Sequence, residues 1–190
     1  MNLLFIGDIV GSPGRRAVEE LLPRLVDQYF IDLVVANGEN ASGGIGITPQ
    51  VADFLLGQGI DLLTSGNHIW KHKEIRHYLD DTDRLLRPAN YPPGSPGRGY
   101  AIVETAAGEK AAVINLEGRV FMDPLDCPFR TVDAILKELP KEIKVILQPS
   151  GRSTWPTTSS WTRPAAPAMP WARKCAPKRP TCAPAWKRRA

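Results

Sequence analysis

Asp8, Glu39, Asn40, Asn67 and His68 are the residues of this sequence whose types could do chemistry together. Asp8 and Glu39 are carboxylates, and Asn67 offers a neutral amide oxygen. Hard and borderline divalent metals accept such ligands. A carboxylate placed between two ions can bridge them. Two metals roughly 3.5–4 Å apart can share an activated hydroxide and hold phosphoryl oxygens during in-line attack. His68, directly after Asn67, could protonate a leaving group or orient a phosphate. Gly38, Gly43, Gly44, Gly46 and Gly66 would let backbone approach a phosphate closely. Dinuclear sites usually also need imidazoles. The chain has three His, and His72 and His77 read as solvated side chains around a surface helix.

These residues need elements to carry them. The unbroken apolar run 3–6 predicts a strand buried on both faces. Loop 7–14 follows, then a helix over 15–29, with Pro23 placed to kink or split it. A second buried strand, 33–36, feeds the Gly-rich loop 37–47. Thr48-Pro49 is a helix start, Thr as cap and Pro in the first turn, and that helix runs to about residue 58. A third strand, 60–64, ends in Ser65-Gly66-Asn67-His68. A short helix is expected over 71–79, a Pro/Gly loop over 88–99, a hairpin from 100–104 and 110–115, a helix over 129–139 and a strand over 143–147. Repeated strand–loop–helix units imply an α/β fold with a largely parallel sheet. Asp8, Glu39-Asn40 and Asn67-His68 each lie just past the carboxyl end of a strand, the edge where open α/β sheets place ligands. Gly-Asp, Asn-Gly and Gly-Asn are also ordinary turn dipeptides. Three such clusters at one sheet edge, each with a metal-competent side chain, favour a site. A dinucleotide fold is disfavoured: the first loop lacks Gly-x-Gly-x-x-Gly spacing, and Asp8 would repel a pyrophosphate.

The net charge of +4 averages two unlike pieces. Residues 148–190 carry +9 with no acid, and residues 1–147 carry −5. The basic pI therefore belongs to the tail and is no nucleic-acid footprint of the main body. Three widely spaced cysteines, Cys127, Cys175 and Cys182, suggest neither a disulfide framework nor a zinc knuckle. The first apolar run is too short for a signal peptide or a membrane span, so no membrane role is expected and the cytoplasm is the default.

The segments Gly7-Asp8-Ile9-Val10-Gly11, Asn37-Gly38-Glu39-Asn40-Ala41, Gly43-Gly44-Ile45-Gly46-Ile47-Thr48 and Gly66-Asn67-His68-Ile69-Trp70 closely resemble the YmdB-type bacterial phosphodiesterases, a branch of the calcineurin-like metallophosphoesterases. Arg87-Pro88-Ala89-Asn90-Tyr91-Pro92 and Gly118-Arg119-Val120-Phe121-Met122 match the same family. The resemblance covers about residues 1–147. It implies the N-terminal portion of a four-layer α/β sandwich, two metal ions (iron foremost, manganese or magnesium as substitutes) and hydrolysis of phosphodiesters, including 2',3'-cyclic nucleotides. It further implies that Asp8 binds the first metal, Glu39 bridges, Asn67 binds the second, Asn40 lines the metal site, His68 is the catalytic acid, and Gly43 and Gly44 contact substrate. Intact members are expected to be homo-oligomers. Lys71, after Trp70, stands where the family usually has an acid.

The match ends near Gln148. The family continues with a His-Ala-Glu segment and a Thr-His-x-His segment that complete both metal shells, and nothing here corresponds to either. Residues 148–190 hold eight Pro, eight Ala, four of the five Trp and no His. Three readings stand: out-of-frame translation of a GC-rich gene, which is favoured; a basic arm that binds RNA through Lys, Arg and stacked Trp; or an interaction tail that folds on a partner. All three describe a segment expected to be disordered in solution. Without those histidines this chain is expected to bind metal weakly and to show little diesterase activity. Competing readings are a general metallophosphatase or nucleotidase and a catalytically dead binding or regulatory protein.

Overall fold

The computed structural model describes residues 1–150 and 160–161. Its strands fall into two sheets. The first has the order β1 (Leu3–Asp8), β2 (Leu33–Asn37), β3 (Leu62–Thr64), β4 (Leu85–Leu86), all parallel. Its crossovers carry α1 (Gly11–Tyr29), α2 (Pro49–Gly57) and α3 (Ile75–Asp81). The second has the order β5 (Tyr100–Glu104), β6 (Lys110–Glu117), β7 (Lys144–Ser150), β8 (Ser160–Trp161). There β5 and β6 form the expected antiparallel hairpin, and β7 returns parallel to β6 through α4 (Pro128–Glu138).

Three apolar clusters define the layers. Val18, Leu22, Val34, Ala36, Leu55 and Leu63 join the first sheet to its helices. Leu33, Val35, Leu62, Leu86, Ala111 and Val113 fill the space between the sheets. Ala112, Ile114, Leu116, Val132 and Ile135 join β6 to α4. Alternate residues of β2 thus point to opposite faces, both dry, which is why the run reads as unbroken apolar sequence. Helix, sheet, sheet and helix make the four-layer sandwich that the resemblance implies, so two sheets stand where periodicity alone suggested one.

Several boundaries differ from expectation. Helix α1 starts at Gly11, four residues early, because Gly11 takes φ +56° and turns the chain directly into the helix. It runs through Pro23 without ending. The 71–79 helix is two pieces, a 3₁₀ turn over Asn67–Lys71 and then α3. Strand β4, two residues long, was not foreseen. Thr48 caps α2 as expected, its Oγ1 accepting from the Val51 N–H at 3.4 Å. Strand β7 extends past 147 to Ser150, and Ser160–Trp161 pairs with Val145 and Ile146. Residues 148–150 and 160–161 of the tail are therefore in strands, where the sequence shows no pattern. The other expectations for it lie outside the described residues.

Candidate active site

Parallel strands put their carboxyl ends on one edge, and three loops of the first sheet meet there. Asp8 is the last residue of β1 and is exposed. The turn after β2 is pinned by backbone bonds from Gly38 N–H to Thr64 O (2.9 Å) and from Ile9 N–H to Asn37 O (2.9 Å). The Asn37 side chain accepts from the Glu39 N–H at 2.9 Å, an Asx turn that presents Glu39. After β3, buried Ser65 ties the turn to β4 through Oγ–H to Leu86 O at 2.7 Å, and Asn67 and His68 open the 3₁₀ turn.

The structure brings Asp8, Asn40 and His68 into one line. Asn40 Nδ2 donates to Asp8 Oδ2 at 2.7 Å, and Asn40 Oδ1 lies 2.6 Å from His68 Nδ1. A carboxylate accepts only, so the Asn40 amine must face Asp8 and its oxygen must face the ring. His68 then carries its proton on Nδ1, leaving Nε2 free for proton exchange. Asn40, expected to line the metal site, lies between Asp8 and His68 with both ends of its amide bonded to them.

Glu39 is 9% exposed, and its Oε2 has no hydrogen-bond partner. Burial, then the charges of Asp8 and Glu117, push its pKa up to about 7. Two carboxylates near one another with an orphaned buried oxygen fit a divalent cation, which would neutralise the charge and occupy the oxygen. Asn67 is exposed at the same edge. Among the described residues, no three His, Cys, Asp or Glu side chains form a group that could hold a metal. The donor set is thus two carboxylates with the Asn67 amide, part of a complete shell.

Gly43 (φ +64°) and Gly44 (φ +92°) have open space where a Cβ would stand, so their backbone is approachable. Gly44 N lies 3.6 Å from the position of a Cβ on Gly11, so the first and second loops touch. Gly46 is the sterically locked glycine of this loop: a Cβ there would meet His72 Cδ2 and Lys71 Cβ, each at 2.8 Å. His72 Nε2 is 3.2 Å from the Ile45 carbonyl oxygen. His72, expected to be merely solvated, therefore braces the glycine loop, and His77 is exposed as expected. Lys71 is exposed.

Sequence reasoning missed Tyr91 and Glu117 as neighbours of the site. Glu117 ends the apolar strand β6 as Asp8 ends β1, and that shared pattern was the available signal. Glu117 is 2% exposed, and Tyr91 Oη donates to its Oε2 at 2.6 Å. Burial raises the Glu117 pKa, and the Tyr91 bond opposes the rise.

Comparison with known proteins gives the family and the fold. A profile of the family described as YmdB-like protein matches residues 4–149. The chain is 47% identical over 146 residues to a Bacillus subtilis protein named 2',3'-cyclic-nucleotide 2'-phosphodiesterase, covering 77% of this chain and 55% of that protein. It superposes on the crystal structure of a hypothetical protein from Thermus thermophilus with a TM-score of 0.71 at 43% identity, over 80% of this chain and 59% of that one. A crystal structure described as a novel phosphatase from Mycoplasma pneumoniae gives 0.69 at 28% identity, over 78% and 55%. The chain thus spans little more than half the length of these three proteins. Over residues 4–149 it belongs to the YmdB-like family of calcineurin-like phosphoesterases.

Proposed function

We propose that residues 1–147 are the metal-binding and acid-carrying portion of a phosphodiesterase acting on 2',3'-cyclic nucleotides or related diesters, and that the basic residues 148–190, apart from the strand residues 148–150 and 160–161, are a separate segment. The observation that carries this reading is the line Asp8–Asn40–His68 beside the orphaned Glu39 Oε2. Asp8, Glu39 and Asn67 would hold divalent metal, iron first and manganese or magnesium as substitutes. Bound metal would polarise the phosphoryl group and favour ionised water as nucleophile.

The chain's own residues do the rest. Asn40 accepts from Nδ1–H and fixes the His68 ring, so Nε2 is the nitrogen that exchanges a proton with solvent, and the imidazolium form, protonated on both nitrogens, gives its Nε2 proton to the leaving oxygen. Asp8 holds the amide that holds the ring, which couples metal ligation to the orientation of the acid. Gly43 and Gly44, with open space where a Cβ would stand, let a phosphate approach the loop backbone closely. The negative site excludes free phosphodiester until a cation is bound, because like charges repel in a partly dry setting.

The incomplete donor set among the described residues favours a second reading, a binding protein without turnover. One experiment separates the two: hydrolysis of 2',3'-cyclic AMP and of a monoester by the full chain with added Mn²⁺ or Fe²⁺, beside Mn²⁺ binding. Diester turnover lost in His68→Ala supports the proposal. Preference for the monoester makes the domain a phosphatase. Nucleotide binding without turnover makes it a binding protein.

A further inference from the structure

Glu117 is a buried carboxylate that the reading above does not use. It sits at the end of β6, in the second sheet, yet it reaches the catalytic edge of the first. Its partner Tyr91 is 8% exposed, and the hydroxyl lies 2.6 Å from Glu117 Oε2 and 3.3 Å from the Gly66 carbonyl oxygen. A hydroxyl has one proton, and the short contact to a carboxylate takes it. The Tyr91 ring also tilts against Trp70, centroids 5.8 Å apart at 32°. Tyr91 therefore touches both ends of the turn that carries Asn67 and His68. Asn90 fixes the pair from behind: its Oδ1 accepts from the Glu117 N–H at 2.8 Å, and its Nδ2 donates to Glu117 O at 3.0 Å and Asp126 O at 3.1 Å.

Burying a carboxylate without a counter-charge is costly. Among the described residues, no ion pair involves Asp8, Glu39 or Glu117. Nearby, the nine-tenths buried Glu39 leaves Oε2 without a partner. Three acids on one edge with no protein cation point to a cation that arrives from solution.

We propose that Glu117 is a third, non-ligating anion of the cation site, held by the Tyr91 hydroxyl behind the Asn67–His68 turn, and that its charge tightens divalent binding at Asp8 and Glu39. This rests on the metal reading given above. Glu117 acts through the field and through Tyr91, so it is a positioning residue. Nothing requires it to touch substrate.

The test is Mn²⁺ binding to the full chain, read from the electron paramagnetic resonance of free Mn²⁺. Glu117→Gln keeps the volume and the acceptor for Tyr91 but removes the charge. Glu117→Asp keeps the charge but shortens the reach. The field role predicts about tenfold weaker binding for Gln and near wild-type binding for Asp. A role confined to holding Tyr91 predicts the reverse order and would overturn the proposal. The Gln deficit should persist in 0.5 M KCl, because a buried charge is little screened. Tyr91→Phe keeps the ring against Trp70 and gives an independent route: about threefold weaker binding supports the coupling, and unchanged binding counts against it. Should Glu39→Gln abolish binding while Glu117→Gln and Tyr91→Phe leave it intact, the metal site stands and this proposal falls. Should the wild type bind no Mn²⁺, both fall.

Discussion

The Asn40 amide oxygen lies 2.6 Å from His68 Nδ1, while the same amide donates to Asp8 at 2.7 Å. The carboxylate at one end dictates the tautomer at the other. A histidine side chain free in water favours the proton on Nε2, so the arrangement has a spectroscopic signature. Long-range ¹H–¹⁵N spectra of the chain at pH 8.5 are expected to show one histidine, His68, protonated on Nδ1. Asn40→Ala should return that ring to the Nε2–H form. A wild-type His68 already in the Nε2–H form would disprove the network.

In an intact homologous chain that carries the histidine segments absent here, the replacement corresponding to His68→Ala should depress diester turnover by about 10²-fold or more, the usual scale of a lost general acid. Mn²⁺ content should not change, because His68 is bonded to Asn40 and is no ligand in this scheme. Parallel activity and metal assays check both halves, and loss of metal in this variant would refute the acid role.

Burial, Asp8 and Glu117 raise the Glu39 pKa from 4.5 to about 7 in the metal-free fold. The folded state then disfavours the charged form. Its contribution to stability is fully present below about pH 4.5 and is lost as pH rises through about 7. Metal-free chain should therefore lose on the order of 2 kcal/mol between pH 4.5 and 8 from this group alone. Urea unfolding of wild type against Glu39→Gln measures it: the Gln variant should be the more stable of the two at pH 8, and saturating Mn²⁺ should reverse that order.

Gly43 and Gly46 both have positive φ, +64° and +79°, but only Gly46 is enclosed, with His72 and Lys71 atoms 2.8 Å from a would-be Cβ. Gly43→Ala should cost about 1 kcal/mol, the backbone term alone. Gly46→Ala adds a clash with the loop's brace and should cost roughly 2–4 kcal/mol. Thermal melts of the two variants give the comparison, and equal losses would mean that His72 does not brace the loop.

Much of the fold was legible because strands buried on both faces leave unbroken apolar runs, as at Leu33–Asn37, and because Thr48-Pro49 is a strong local start. Division into two sheets was not legible from periodicity. It depends on Leu86 and Val113 facing the same dry layer, a contact between residues far apart in the chain. The two-residue β4 is too short to carry a pattern. At the site, Asp8, Glu39 and His68 were visible as polar residues at strand ends. The bracing by His72 and the pairing of Tyr91 with Glu117 were not, since each joins loops whose proximity only the assembled sheets create.

Asn115, in β6, donates Nδ2 hydrogen bonds to Ser65 O at 2.8 Å and Leu86 O at 3.1 Å, across the layer between the sheets. That stitch gives synthesis of this chain a timetable. Asp8, Asn40 and His68 leave the ribosome long before β6 does, and N-terminal parts generally fold first. The polar line can form on a first sheet whose inner face is still wet. Only when Glu117 arrives does its charge join that of Asp8 in acting on Glu39, so the step that adds the second sheet is also the step that completes the electrostatics of the site.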